Sequence, residues 1–222
     1  MATLPDLSQT EIAIVEMTNA FRKEHRLGEV KPNAALMAAA RSLAAYLATT
    51  GTFGHEADGR SPAERAEAEG YHYCLISENL AMNLDSRGFE SRALARVAVE
   101  GWKNSPGHRA NMLQPTITET GVAVARAPAR NPKFISVQMF ARPETFKMEF
   151  RIKNEAPTAI RYTLGEETHT LPLRSIVTHT SCDPIQLTFD QIGGAQHFEP
   201  HDGDRFVVRA RGEVIVVGMK RN

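Results

Sequence analysis

Cysteine is scarce in this sequence: only Cys74 and Cys182 occur among 222 residues. Two cysteines cannot build the several-bridge framework of a small disulfide-rich fold, and these two lack the paired spacing of a cysteine zinc site. Free cysteines in folded proteins are usually buried and behave as small apolar side chains. We therefore expect Cys74 and Cys182 to be two free, buried thiols.

The sequence also lacks an excess of charge of either sign, since 26 Lys and Arg residues balance 26 Asp and Glu residues. A protein that binds nucleic acid through its phosphates needs a basic surplus, so the composition argues against a nucleic-acid partner. Long apolar runs are missing as well. The longest, such as residues 214–217, are far shorter than the roughly 20 residues that cross a bilayer, so we expect no transmembrane segment.

The pattern of apolar and turn-forming residues changes near residue 145. Before that point, stretches with helical spacing alternate with strand-like segments at residues 71–80, 121–126 and 134–141. After it, short β-like runs are separated by Gly, Pro, Asn and Asp. The sequence predicts an α+β protein with an α-β-α sandwich over residues 1–143. A small all-β sandwich or barrel follows over residues 144–222.

Helix starts are marked by capping residues. Ser8 or Thr10 would cap a first helix over residues 7–27. Ser61 is followed by a proline for the first turn and by Glu64, which can close a capping box. Ser105 stands before another proline and would cap a short helix that carries His108 in its first turn.

His108 is the first candidate for chemistry. It follows an amphipathic stretch that ends in the only tryptophan, Trp102. The positive end of a helix disfavours the protonated imidazole, and a neutral imidazole can bind a metal or accept a proton. The alternative is that His108 caps its own helix or packs against Trp102.

His55 and Glu78 are the other two candidates. His55 lies in a glycine-rich connection, residues 51–59, where a histidine is more often solvated than functional. Glu78 lies inside a strand whose apolar alternation predicts burial. A buried carboxylate needs a cation, several N–H donors or a metal, and either Arg65 or Arg109 could be an ion-pair partner.

Several short motifs occur in order between residues 8 and 142. They are Asn19 with Arg22, Leu36 with Ala39, Gly54-His55, Asp58-Gly59-Arg60-Ser61-Pro62 with Arg65, Gly70-Tyr71, Glu78-Asn79-Leu80, and residues 102–113, 118–123 and 138–141. In this order the set resembles the CAP superfamily, which comprises the cysteine-rich secretory, antigen five and pathogenesis-related proteins. The chain is similar to the bacterial SCP-like branch.

The resemblance implies an α-β-α sandwich whose cleft is lined by two histidines and two acidic residues and holds zinc in some members. Carried over by motif, the histidines are His55 and His108 and the first acidic residue is Glu78. Ser105 stands where many members carry the second acidic residue, and Asn111 where many carry glutamine. We expect these five residues to form a ligand-binding cleft. His55 and His108 would hold a weakly bound zinc ion, with Glu78 as a further ligand or an orienting base.

Function has to be argued from this site, because the family's roles span lipid and sterol binding, export, immune modulation and proteolysis. The first hypothesis is a binding module for a lipid-like or envelope ligand, without catalysis. The alternative is a hydrolase, a protease or esterase, that uses Ser105, His108 and Glu78 or a metal-bound water. Ser105 is more simply a helix cap, however, and no Gly-x-Ser-x-Gly motif occurs.

Localisation has two readings. Residues 1–6 contain neither the basic start nor the apolar stretch of a signal peptide, so the protein is intracellular or the sequence begins at a mature chain. The family resemblance favours the second reading, a secreted or periplasmic protein. In the β-rich tail, His169, His179, His197 and His201 match no metal motif, and we expect them in solvated loops. The tail would aid docking on an envelope or a partner.

Overall fold

A computed structural model describes residues 2–189, 194–211 and 214–221, in two compact units, Met1–Thr145 and Phe146–Asn222. The helices of the first unit are α1 (Leu7–Glu24), α2 (Ala34–Thr50), α3 (Pro62–Ala68), α4 (Ser91–Lys103) and α5 (Pro106–Leu113). Its strands are β1 (Lys31–Pro32), β2 (Tyr73–Leu84), β3 (Glu119–Ala127) and β4 (Lys133–Pro143). A second unit of strands follows, so the predicted α+β class is confirmed. Within the described ranges, no helix is both long and apolar enough to span a membrane.

Helix α1 begins at Leu7, as the sequence predicted, but it ends at Glu24 rather than at residue 27. The Asp6 carboxylate accepts a hydrogen bond from the Gln9 N–H at 2.9 Å, so the caps predicted at Ser8 or Thr10 are wrong. An aspartate suits this position because its charge also interacts favourably with the positive helix end. The capping box predicted for α3 is confirmed, since Ser61 and Glu64 each bind the other's backbone N–H.

The first unit is a three-layer sandwich around a sheet in the order β1-β3-β4-β2. The pair β1–β3 is parallel and the others are antiparallel. Alternate strand residues face opposite layers: Ala123 and Val137 pack with α2 and α3, while Val122 and Phe134 pack with α1, α4 and α5. A Cβ at Gly121 would lie 2.2 Å from a backbone carbon of Leu36, so only glycine allows α2 to approach β3 this closely.

The second unit is a β-sandwich. Its described strands are β5 (Met148–Asn154), β6 (Ile160–Leu164), β7 (Glu167–Leu171), β8 (Ile176–Ser181), β9 (Leu187–Phe189), β10 (Gln196–Phe198), β11 (Arg205–Arg211) and β12 (Val214–Lys220). They form two four-stranded sheets, in the orders β10-β9-β6-β7 and β12-β11-β5-β8. Phe150, Phe189 and Phe206 fill the shared core, which corresponds to the sandwich rather than the barrel alternative.

Two expectations for the second unit and the cysteines are wrong. His169, His179 and His197 lie in strands β7, β8 and β10 rather than in solvated loops. The Tyr162 hydroxyl lies 2.7 Å from Nε2 of His179. Cys74 and Cys182 are not free thiols, because both are disulfide-bonded. The number and spacing of cysteines do not determine their oxidation state, so the sequence contained no signal for this.

Candidate functional site

Strand β2 carries the residues around which the candidate site is built. Glu78, Asn79 and Leu80 are consecutive and buried. The Leu80 carbonyl accepts a hydrogen bond from Nε1 of Trp102 at 3.0 Å, which fixes α4 against β2. Nδ2 of Asn79 donates to the backbone carbonyl of His108 at 3.0 Å, which fixes α5 there as well. The histidine-bearing helix is therefore held against the strand that carries Glu78.

The Glu78 carboxylate is neutralised by Arg65. Nη2 of Arg65 donates to both oxygens, at 3.0 and 3.2 Å, so the ion pair left open by the sequence forms with Arg65 and not with Arg109. Nη1 of Arg65 donates to Asp58 at 2.7 Å, and the Arg65 side chain is 0% exposed. Although burial acts to raise the pKa of Asp58, the backbone N–H of Arg60 and the charge of Arg65 lower it overall.

His55 is the exposed end of this buried chain of charges. Its Nδ1 lies 2.8 Å from Oε1 of Glu78, and because a carboxylate only accepts, Nδ1 carries the hydrogen and donates it. The hydrogen bond with Glu78 raises the pKa of His55 above its ordinary value, although partial burial opposes this. The His55 side chain is 49% exposed, whereas that of Glu78 is 1% exposed. The second ring nitrogen, Nε2, is thus the atom left for a ligand.

His108 has the opposite electrostatics. Burial lowers the pKa of His108, and the nearby charge of His55 lowers it further. The sequence predicted a neutral imidazole because of the helix dipole. The pKa of His108 is indeed lowered, but the main cause is the loss of hydration on burial. The site therefore combines one imidazole that is readily protonated with one that favours the neutral form.

Ser105 and Asn111 take different parts. Ser105 stands at the start of α5, but its side chain makes no capping hydrogen bond. In the part of the chain that the structure describes, no hydrogen bond joins the Ser105 hydroxyl to an imidazole, which a serine nucleophile would need. Asn111 donates through Nδ2 to the Glu78 carbonyl at 3.2 Å and to Oδ1 of Asn79 at 2.9 Å. It ties the end of α5 to β2.

The donor set does not fit a resident catalytic zinc ion. Such sites use three protein ligands, and among the described residues no group of three His, Cys, Asp or Glu side chains is placed to hold a metal. Both oxygens of Glu78 are already bound by Arg65, and one of them also by His55. Only the imidazoles of His55 and His108 remain as donors.

Sequence reasoning missed how Arg65 and Asn79 position the histidines. Nη2 of Arg65 also donates to the backbone carbonyl of His55 at 2.7 Å. One cation therefore holds both the loop that carries His55 and Glu78, the carboxylate that the His55 ring binds. The Asn79 side chain holds His108 in place by donating to the backbone carbonyl of His108. Both residues belong to the motifs that carry the family resemblance. The contacts that they make depend on the path of the loops, which the spacing of residues does not reveal.

Comparisons with known proteins agree with this architecture. A sequence model of the cysteine-rich secretory protein family (CAP) matches residues 15–140. Over 117 residues the chain is 29% identical to the uncharacterized protein YkwD of Bacillus subtilis (strain 168), covering 52% of this chain and 42% of YkwD.

Two solved structures share the fold. An outer surface protein from Borrelia burgdorferi matches with a TM-score of 0.54 and 20% identity, covering 64% of this chain and 99% of that one. An extracellular protein containing an SCP domain from Bacillus anthracis str. Ames matches with a TM-score of 0.50 and 23% identity, covering 61% and 41%. At such identities the likeness shows the fold alone, and the chain spans less than half of YkwD and of the Bacillus anthracis protein.

Proposed function

Because the chain belongs to the cysteine-rich secretory protein (CAP) family, we propose that it is an extracellular or periplasmic binding module. Its polar cleft, the His/Glu site formed by His55, Glu78 and His108, recognises a lipid-like or envelope ligand and does not catalyse a reaction. The observation that carries the proposal is that the Glu78 carboxylate is already bound by other side chains. Its carboxylate is bound by Arg65 and His55, so it serves to hold an imidazole in place.

A hydrolytic role finds less support in the geometry. A catalytic trio needs a nucleophile in contact with its base, and the described contacts of Ser105 include none with His55 or His108. Glu78 contacts His55, which is not the histidine that the trio of Ser105, His108 and Glu78 requires. The site is better suited to binding.

The ligand's polar head is the part that the His/Glu site would recognise. With Nδ1 bound to Glu78, the exposed His55 ring offers Nε2, which donates a hydrogen bond when the ring is protonated. The raised pKa of His55 favours that state. A phosphate, carboxylate or carbonyl oxygen is the complementary group. An envelope amphiphile carries such a head beside its apolar chain.

An extracellular setting agrees with the cysteines. Both are disulfide-bonded, and disulfides persist mainly in oxidising compartments outside the cytosol. One solved relative is described as an extracellular protein. We also propose that zinc binds only weakly, through His55 and His108, because two nitrogen donors are fewer than a tight site uses.

The proposal is tested by recovering bound molecules. The purified protein is incubated with a bacterial polar lipid extract, re-isolated and analysed by native mass spectrometry. We expect a lipid adduct on the wild type, reduced at least about tenfold in a His55→Ala/His108→Ala variant, equal to about 1.4 kcal/mol of binding free energy. A His197→Ala variant, which removes an exposed histidine elsewhere, serves as the control.

Two results would overturn it. One is the absence of any adduct on the wild type. The other is equal loading of the wild type and the His55→Ala/His108→Ala variant, since the ligand would then lie elsewhere. Robust hydrolysis of a model ester or peptide that is lost in Ser105→Ala would favour the alternative function.

A further inference from the structure

Three cations stand side by side on the outer face of one sheet of the β-sandwich. In the strand register, Arg151 of β5 is opposite Arg205 of β11, which in turn is opposite Lys220 of β12. All three are exposed. Neighbouring strands lie about 4.8 Å apart, so the row is roughly 10 Å long. Like charges directly opposite each other destabilise a sheet, so packing does not account for this row.

Two further cations lie on the same face, Lys153 and Arg209, and we call these five residues the basic sheet face. The carboxylates on the face belong to Glu149, which contacts Arg151 at 3.2 Å, and Glu155, which binds Lys153 at 2.7 Å and Arg209 at 2.8 Å. Asp202 borders the face and accepts the Glu149 N–H. For Arg205 and Lys220, no ion pair is present among the described residues. The face keeps a net positive charge.

The opposite sheet of the same sandwich is different. Its outer face carries a row of hydroxyls, in which Thr163 of β6 is opposite Thr168 of β7 and Thr188 of β9. Arg161 stands there opposite Thr170. Positive charge is therefore concentrated on the outer face of the β12-β11-β5-β8 sheet.

One exposed and one half-buried aliphatic side chain lie among the cations. Ile176 of β8 is opposite Lys153 and is 62% exposed, and Val207 is opposite Lys153 on the other side. A hydrated polyanion such as a nucleic acid would gain no binding energy from these aliphatic side chains. Such a polymer is usually held in a groove rather than on a sheet face. A bilayer surface rewards both features, because its headgroups attract Lys and Arg and its interface accepts aliphatic groups.

We propose that the basic sheet face docks the protein onto the anionic phosphate headgroups of a phospholipid bilayer. Arg151, Arg205 and Lys220 contact the phosphates, while Ile176 rests at the interface. This surface belongs to the second unit and the His/Glu site to the first, and the inference does not depend on the proposed function.

Vesicle co-sedimentation tests it with the full chain. Vesicles of phosphatidylcholine alone are compared with vesicles that also contain about 30% phosphatidylglycerol, an anionic lipid that makes the surface potential negative. We expect binding only to the anionic vesicles and its loss at high salt, because screening shortens the reach of the charges. An Arg205→Gln/Lys220→Gln variant should bind about thirty-fold more weakly, as expected from two surface cations.

The matched control is Arg161→Gln/Arg96→Gln, which removes the same net charge from the opposite sheet and from α4 and should bind like the wild type. The Arg205→Gln/Lys220→Gln variant should unfold at the same or a higher denaturant concentration, because like-charge contacts are relieved, so weak binding cannot be misfolding. Equal binding to both kinds of vesicle would overturn the proposal. So would equal loss in the control, or binding to soluble polyphosphate but not to vesicles.

Discussion

The guanidinium of Arg65 lies 3.0 Å from the carboxylate of Glu78, and the same Nη2 donates to the backbone carbonyl of His55 at 2.7 Å. One buried cation therefore holds both the loop that carries His55 and the carboxylate that its ring binds. The exposed imidazole is positioned from beneath by Arg65 and Glu78, whose side chains are 0% and 1% exposed. This arrangement gives the site its rigidity.

Replacing Arg65 should destabilise the first unit strongly. In Arg65→Met the buried carboxylates of Asp58 and Glu78 lose their shared partner, and breaking a buried ion pair costs about 3–5 kcal/mol. Arg60→Met is the control, because Arg60 contacts the same Asp58 at 3.2 Å but is 43% exposed; it should cost less than about 1 kcal/mol. Urea denaturation measures both. Equal costs would contradict the account.

Much of the fold could be predicted from the sequence. The family resemblance is confirmed by the match over residues 15–140, and the α+β class follows from periodicity and turn signals. The capping box at Ser61 and Glu64 was predictable because it involves neighbours in the chain. The Asp6 cap was missed because Ser8 and Thr10 have equally good capping side chains, and only the backbone path chooses among them.

The site was less predictable, because its contacts join distant segments. The sequence indicated that a buried Glu78 needs a cation, several N–H donors or a metal, and it left both Arg65 and Arg109 open as ion-pair partners. Arg109 instead lies over the ring of Phe21, at 4.9 Å from the ring centroid. Local spacing cannot distinguish these outcomes, since both depend on how α3 and α5 pack against β2.

The close approach of α2 and β3 gives a second prediction. In Gly121→Ala the new methyl group would overlap backbone atoms of Leu36 and Met37, so the layers must separate, and we expect a loss of about 3 kcal/mol or more. Gly101→Ala is the matched control. That glycine is exposed in α4 with open space around it, and alanine should stabilise the helix by up to about 1 kcal/mol. A thermal melt in which both variants behave alike would refute the packing argument.

Replacing the residue before a helix by alanine should have different effects on stability at Asp6, which precedes α1, and at Ser105, which precedes α5. Asp6→Ala removes the hydrogen bond to the Gln9 N–H and should cost about 1 kcal/mol. Ser105→Ala removes no capping bond and should change the free energy of unfolding by less than about 0.5 kcal/mol. Chemical denaturation compares them directly. A larger loss for Ser105→Ala would show that its hydroxyl has a structural partner.

Zinc binding should be weak and depend on both histidines. Titration of metal-free protein by calorimetry should give heat that disappears in His55→Ala/His108→Ala. Protons compete with the metal for imidazole nitrogens, and the hydrogen bond with Glu78 raises the pKa of His55, so affinity should begin to fall at a pH above the ordinary imidazole value of about 6.5. The control His197→Ala should bind like the wild type. Heat that is unchanged in the His55→Ala/His108→Ala variant would remove these two residues as ligands.

The contact between His55 and Glu78 is the central claim, and an NMR titration of the histidine ring signals tests it most directly. In the wild type, the pKa of His55 should lie above the ordinary value of about 6.5 and that of His108 below it. In Glu78→Gln, which keeps the shape but removes the charge, the pKa of His55 should fall to the ordinary value or lower. A His55 pKa that is the same in both proteins would contradict the account.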